Sequence, residues 1–352
     1  FSSNFLLKRA EVAFVKNSIK DLTKITNLFV PKIINKKIDK IFAEGQIEGQ
    51  FTIPFDEDGN IGNDYGFSGR VLNASINITK EFGIKNLTTE INHTKDKEAN
   101  FFNVKINKGS LLDFDLTNSI FKLKREDNAT EVKSLLVTKG EFNFNKIKKI
   151  SSLLNFNITN IKNAEGKIDL KTNINFKLNK KYRIKNLTYG LEGAIPYGEI
   201  YFKEKKIIKK YLPNYSDKIT LKDSKIKFTK TEPVNKIELN GFMKINKNYD
   251  SFNFKQIYDH NKKSSIVVGK ADLTNSQVNI SQLNYIKDRE KKSEVDFDFN
   301  LVPNKKFHIK KIIFLSDKSK IDIADLKLNE NFETDDFKKI EIKTFKNGNK
   351  NN

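Results

Sequence analysis

The feature that most constrains this fold is an alternation of apolar and polar residues with a period of two. It is clearest in residues 167–178 and 295–301, where almost every second side chain is Ile, Leu, Val or Phe. Successive side chains of a β-strand point to opposite faces, so each such segment has one apolar and one polar face. The pattern is typical of antiparallel strands, and it predicts a mainly β protein.

The alternation also identifies the residues that we expect to form a common apolar surface. Each lies at every second position of a strand-like segment, with polar residues between. The predicted lining residues are Phe102, Val104, Ile106, Leu112, Phe114, Leu116, Ile168, Leu170, Ile174, Phe176, Leu178, Ile219, Leu221, Ile226, Phe228, Val295, Phe297, Phe299, Leu301, Ile321 and Ile323.

Turn-forming residues recur between these segments, for example at positions 56–60, 107–109, 139–140 and 164–166. Together they predict a long meander of about 20 antiparallel strands. Helical periodicity is confined to residues 17–28 and 31–42, with weaker candidates at 147–154 and 204–212. We therefore expect residues 1–48 to form a strand and a short helical segment, and residues 49–352 to form one continuous sheet. Because the chain starts with Phe1, we interpret it as a fragment of a longer protein.

The net charge of +21 comes almost entirely from Lys, since only five of the 65 basic residues are Arg. A nucleic-acid-binding protein usually clusters Arg for bidentate contacts, whereas here Lys alternates with apolar residues throughout. We interpret the lysines as the solvated face of many strands and expect no nucleic-acid partner. Attraction to an anionic membrane surface is the alternative for part of this charge.

The composition also argues against an enzyme. There is no Cys, the three His residues stand apart, and no phosphate loop, nucleophile elbow or zinc spacing occurs. Residues 56–60 resemble the start of a calcium loop, but Phe67 occupies the position that needs a Glu. We predict a hairpin turn there, and no metal, cofactor or catalytic residue in the chain.

Short sequence units return along the chain and indicate a degenerate strand repeat. Residues 43–48 are echoed at 164–169, residues 84–88 at 184–188, and residues 116–119 at 273–276.

Three longer segments carry a resemblance to a known family. They are IKDLT, FVPKI and IFAEGQI within residues 19–47; VTKGEF and ITNIKNAEG within 137–166; and ADLTNSQVNI and LNYIK within 271–287.

These segments resemble the YhdP-like branch of the AsmA superfamily, which is related to TamB. The resemblance implies an elongated meander curled into an open apolar groove, the repeating β-groove. It further implies a periplasmic carrier of phospholipid between the inner and outer membranes of a Gram-negative envelope. By the same resemblance, the full-length protein is held in the inner membrane by an N-terminal anchor that this fragment lacks.

The alternation agrees with a groove, because a long sheet with one apolar face has to cover that face. Three other interpretations stay open at this point. The apolar residues could pack only on each other, as the closed core of a structural envelope scaffold that binds no ligand. The chain could be an adhesive β-solenoid, although it lacks repeats of equal length, or a Lys-rich nucleic-acid binder. The alternation does not determine the oligomeric state.

Overall fold

The structure is a computed structural model. It describes residues 6–21, 42–62, 64–78, 82–96, 99–126, 128–154, 158–180, 183–203, 217–245, 248–280, 284–302, 307–317, 319–329, 333–346 and 349–351. Within these ranges the protein is mainly β, and consecutive strands pair antiparallel in a long meander. The fold class that the alternation predicts is confirmed at this level.

Contacts between Cα atoms divide the chain into two compact units. Unit 1 comprises Phe1–Gly140 and Leu170–Tyr189, and unit 2 comprises Glu141–Asp169 and Gly190–Asn352. The division after residue 48 that the sequence suggests stays a prediction.

Most of unit 1 is an antiparallel sheet whose strands pair in chain order. The strands are β1 (Arg9–Ser18), β2 (Phe42–Pro54), β3 (Gly66–Asn77), β4 (Gly83–Lys95), β5 (Asn100–Leu111), β6 (Phe114–Asp115), β7 (Ile120–Arg125) and β8 (Ala129–Asn143). β6 and β7 each pair with both β5 and β8, so these four strands form a closed ring of pairings. The two short strands thus act as one interrupted strand.

Two long strands, β9 (Ile161–Asn179) and β10 (Ile184–Phe202), pair with each other and contribute residues to both units. Unit 2 continues the meander through eight further strands in the order β11–β12–β13–β14–β17–β18–β19–β21. Its elements are α1 (Phe144–Leu154), β11 (Lys218–Thr231), β12 (Val234–Lys244), β13 (Asp250–Asp259), β14 (Ser264–Asp272), β15 (Val278–Ile280), β16 (Tyr285–Lys287), β17 (Ser293–Leu301), β18 (Phe307–Ser316), β19 (Ser319–Leu328), β20 (Thr334–Asp336), β21 (Lys339–Lys346) and β22 (Asn349–Asn351). β15 and β16 form a separate two-stranded sheet.

The helical predictions have mixed outcomes. The helix expected at 147–154 is confirmed as part of α1. The helix expected at 17–28 is wrong at its start, because β1 runs through Ser18 before a helical turn begins at Ile19. The rest of that segment, residues 31–41 and residues 204–212 lie outside the described residues. Phe42, the last residue of the helix expected at 31–42, belongs to β2, so that prediction is wrong at its end. In the part of the chain that the structure describes, no helix is long and apolar enough to span a membrane.

Several predicted turns are wrong, because the strands run through them. Residues 107–109 lie within β5, Gly140 within β8 and Gly166 within β9. Gly140 and Gly166 have φ angles of 148° and 156°, so these glycines supply a left-handed backbone inside a strand instead of ending it. The turn predicted at 56–60 is confirmed, and Asp56 Oδ1 accepts the amide hydrogen of Asn60 at 2.8 Å.

Residues 112–116 do not form the single alternating strand that their pattern predicts. Leu112 and Asp113 make a turn with φ of 51° and 62°, and β6 then contributes only Phe114 and Asp115. Leu116 lies beyond that strand. Phe114 and Leu116 are nevertheless buried, at 2% and 1% exposure, because the turn folds the segment back onto β5.

Candidate functional site

Unit 2 has a row of directly paired apolar residues that crosses eight strands. We call it the central row, and it consists of Ile226, Leu239, Phe254, Gly269, Phe297, Ile312, Ile323 and Ile340. Strands are about 4.8 Å apart, so the row is about 34 Å long. Every member is apolar, and no charge interrupts it.

Two further rows flank the central row on the same face. The cap-side row contains Gly241, Phe252, Ala271, Val295, Phe314, Ile321 and Ile342. The third row contains Phe228, Ile237, Gln256, Val267, Phe299, Ile309 and Leu326, and its single polar member, Gln256, donates a hydrogen bond to Ser265 Oγ at 2.7 Å. These three rows are the apolar face of unit 2.

The opposite face of the same strands carries charged side chains together with some apolar ones, among them Ile266, Val268 and Ile313. Asp296 accepts a hydrogen bond from Lys311 at 2.7 Å, and Asp322 pairs with Lys339 at 2.7 Å and Lys320 at 2.9 Å. Ion pairs that are partly open to solvent, as these are, contribute little stability. The predicted separation into one apolar and one polar side is therefore clear on β17, whereas β14 and β18 carry apolar residues on both sides.

A β-bulge brings two sets of predicted residues onto this face. Ile219 and Leu221 occupy odd positions of β11, whereas Ile226 and Phe228 occupy even ones, so a regular strand would place them on opposite sides. The pairing with β12 gains one extra residue between Lys222 and Lys225, where Asp223 has a φ of 46°. Leu221 then pairs with Met243 and Ile226 with Leu239, which puts both sets on one side.

The apolar face of unit 2 is covered on one side only. There β15 and β16, the cap strands, contribute Val278 and Tyr285 to a buried cluster with Phe314 and Ile321. The central row has no such cover among the described residues. Its side chains are half-buried, and Ile340 is 42% exposed. The face thus has a wall along the cap-side row and a partly accessible centre.

Lys287 anchors the cap strands. Its side chain is 1% exposed, and its ammonium donates hydrogen bonds to the carbonyl oxygens of Leu273, Thr274 and Ser276, the last two at 2.9 and 2.7 Å. Burial lowers the pKa of Lys287. Beside it, Asp250 accepts hydrogen bonds from the backbone amide and side chain of Asn275, and burial raises the pKa of Asp250.

The turn that holds Lys287 is one of the repeated sequence units. The identity of 116–119 with 273–276 extends to the preceding residue, since Asp115 and Asp272 each begin a DLTNS segment. Asp115 Oδ1 accepts from the amide and hydroxyl of Thr117 at 2.9 and 2.6 Å. Asp272 Oδ1 does the same for Thr274 at 2.8 and 2.6 Å. Each turn places its Leu in or against the buried cluster of its own unit.

Unit 1 has an apolar face built in the same way. Its aromatic row crosses seven strands and contains Val12, Phe51, Phe67, His93, Phe102, Leu123 and Val132. The next row contains Phe14, Gly49, Gly69, Ile91, Val104, Phe121 and Ser134. At the far end of the strands the face is covered by a buried cluster that includes Ile19, Ile106 and Leu116.

All of the predicted lining residues are at least half-buried. The buried ones are Ile106, Phe114, Leu116, Leu221, Phe228 and Ile321. Phe102, Val104, Leu112, Ile168, Leu170, Ile174, Phe176, Leu178, Ile219, Ile226, Val295, Phe297, Phe299, Leu301 and Ile323 are half-buried. Their role as a ligand-binding surface stays a prediction.

The structure adds residues to this surface that the sequence analysis missed. Phe252 and Phe254 alternate with polar residues on β13, and that signal could have found them. Ile309 and Ile312 on β18 could not be found this way. A register shift at Lys310 breaks the period of two between them, and only the pairing with β17 places both on the apolar face.

A separate charged cluster in unit 2 surrounds Glu199. Its carboxylate accepts hydrogen bonds from Tyr197, from Tyr201 at 2.7 Å and from Lys218 at 2.6 Å. Burial raises the pKa of Glu199, but these hydrogen bonds outweigh it and lower that pKa to about 2. The cluster is internally satisfied, which is typical of a structural role.

Within the described ranges, no group of three or more His, Asp or Glu side chains is arranged to hold a metal ion. No known protein family, curated protein or solved structure matches the chain.

Proposed function

We propose that this chain is a segment of a bridge-like lipid carrier that conducts phospholipid along its apolar faces. The observation that carries the proposal is the central row of unit 2, which is apolar across eight strands yet only half-buried. A soluble protein rarely leaves so long an apolar strip without an occupant.

An acyl chain is a suitable occupant because the energetics require only apolar contact. Each CH₂ group transferred from water contributes about 0.8 kcal/mol, so a long chain gains strongly without any specific polar contact. A surface of this kind binds its ligand through many adjacent apolar contacts, and the uninterrupted central row provides them. Free movement along a row requires that no single residue hold the ligand tightly.

The resemblance to the AsmA superfamily supports the same function and supplies its setting. In this proposal the carrier is periplasmic, its full-length form is held in the inner membrane, and it moves phospholipid to the outer membrane. An open groove along each apolar face is also part of the proposal. The function requires no cofactor and no catalytic residue.

Photo-crosslinking from the two faces of one strand tests the proposal. A crosslinking amino acid at Phe297 or Phe299 should label phospholipid that copurifies with the chain, and so should one at Ile174 or Phe176. The matched probes at Asp296, Asp298, Lys171 and Asn173 occupy alternate positions of the same strands and should label none. Equal labelling from both sides would reject a one-sided surface. No labelling from any position would favour the closed structural scaffold.

A further inference from the structure

On β4, β5, β7 and β8 the apolar face of unit 1 ends at a row of polar and cationic residues. Two positions beyond His93, Phe102 and Leu123 on the same face, Lys95 pairs with Asn100, Asn100 with Arg125, and Arg125 with Thr130. We call these four residues the cationic rim. Lys95 and Arg125 lie two strands apart, about 10 Å between their backbones, with Asn100 between them.

Among the residues that the structure describes, neither Lys95 nor Arg125 forms an ion pair, and the Lys95 ammonium lies 4.8 Å from the centre of the Tyr65 ring. Among the described residues, two neighbouring carboxylates bind other partners: Asp96 accepts the amide hydrogen of Ala99 at 2.7 Å, and Glu126 pairs with Lys124 at 2.8 Å.

His93 links the rim to the apolar face. It is the one polar member of the aromatic row and is 9% exposed. Its ring lies 4.4 Å from that of Phe102 and 5.5 Å from that of Tyr65, and its Nε2 lies 3.1 Å from Asn100 Oδ1. Hydrogen-bonding groups and aromatic rings thus meet where the apolar surface stops.

The distance from the rim to the buried cluster suits one lipid chain. Asn100 and Ile106 are six residues apart on β5, which at about 3.4 Å per residue is about 20 Å. One acyl chain fills about half of a 30 Å bilayer core, or about 15 Å. A ligand with its head at the rim therefore has room for its tail along Phe102, Val104 and Ile106.

We propose that the cationic rim of unit 1 binds the phosphate of a lipid headgroup between Lys95 and Arg125, with the acyl chain on the aromatic row. Two cations flanking a hydrogen-bonding amide match an anionic phosphate. The inference rests on the proposed function and deepens it, because it assigns the ligand a head position and an orientation.

Titration of the purified chain with two single-chain lipids tests the inference. Oleoyl lysophosphatidate carries a phosphate, and monoolein has the same acyl chain without it. In Lys95→Gln/Arg125→Gln, the affinity for lysophosphatidate should fall about tenfold or more while that for monoolein stays unchanged. The control, Lys122→Gln/Lys133→Gln, removes the same charge from a directly paired residue couple on the opposite face of β7 and β8, and it should bind both lipids like the wild type.

The other possible results contradict the position of the headgroup, the lipid nature of the ligand or the proposed function. If the rim variant binds lysophosphatidate like the wild type, or if the control weakens binding equally, the headgroup is not at the rim. If inorganic phosphate binds as tightly as lysophosphatidate, the rim is a site for free phosphate and not for a lipid. If the wild type binds neither lipid, the proposed function fails together with the inference.

Discussion

Gly269 lies directly opposite Phe297 in the central row, and the Phe297 ring occupies the space beside its Cα. A Cβ added at residue 269 would lie 2.7 Å from Phe297 Cζ and 2.6 Å from the backbone oxygen of Asn253. The missing side chain therefore lets the ring lie against the sheet.

Gly269→Ala should destabilise unit 2, because backbone as well as side chain would have to move. We expect the free energy of unfolding to fall by about 1–3 kcal/mol, measured by urea denaturation. Gly109→Ala is the matched control. Its new Cβ would meet only side-chain tips, with Leu87 Cδ1 nearest at 3.3 Å, so its effect should stay below about 1 kcal/mol. Equal losses in both variants would contradict the packing of Phe297 on Gly269.

Lys287→Met should release the cap strands from the apolar face. The substitution leaves three carbonyl oxygens without their hydrogen-bond donor. We therefore expect the free energy of unfolding to fall by about 3 kcal/mol. Hydrogen exchange of the β15 and β16 amides should accelerate much more than exchange in β13. Lys292→Met, at an exposed position, should change neither quantity. Unchanged protection of β16 in the Lys287 variant would show that the ammonium does not anchor the cap.

Glu199→Gln should make the free energy of unfolding depend less on pH in the acidic range. The folded-state pKa of Glu199 is about 2, below the usual 4.5, so the unfolded chain binds more protons between these values. The contribution is present above pH 4.5 and is lost as the pH falls towards 2. Between pH 5 and pH 2.5 the free energy of unfolding of the wild type should fall by on the order of 1 kcal/mol more than that of the variant. The difference is no larger because solvent screens the pair of Glu199 and Lys218. Glu192→Gln, an exposed change on the same strand, should follow the wild type.

The variant Phe297→Asp distinguishes between an accessible apolar surface and a closed core. On a half-exposed row the carboxylate can reach water, so we expect the chain to fold with a loss below about 2 kcal/mol and to lose bound lipid. In a closed core the same change would cost about 3–5 kcal/mol or more and unfold unit 2. Thermal denaturation and lipid extraction measure the two effects. Asn253→Asp places the same charge on the opposite face and should alter neither.

The sequence by itself determined that the chain is built mainly of strands and, where a strand is regular, which of its side chains share a side. Period-two alternation is a local property of consecutive side chains, so Val295, Phe297 and Phe299 could be assigned to one face without knowledge of their neighbours. The antiparallel class followed for the same reason. The sequence repeat of residues 84–88 at 184–188 also corresponds to a shared local structure, because Asn86 and Asn186 adopt φ angles of 52° and 53°.

Only the tertiary structure decided how the faces of different strands align. The register of one strand on the next depends on bulges such as that at Asp223, and one inserted residue reverses every side chain beyond it. The burial of Lys287 could not be predicted from the sequence either, because a lysine side chain normally stays in water. Its burial requires three carbonyl oxygens from a turn 11 to 14 residues away, a coincidence that exists only once the chain has folded.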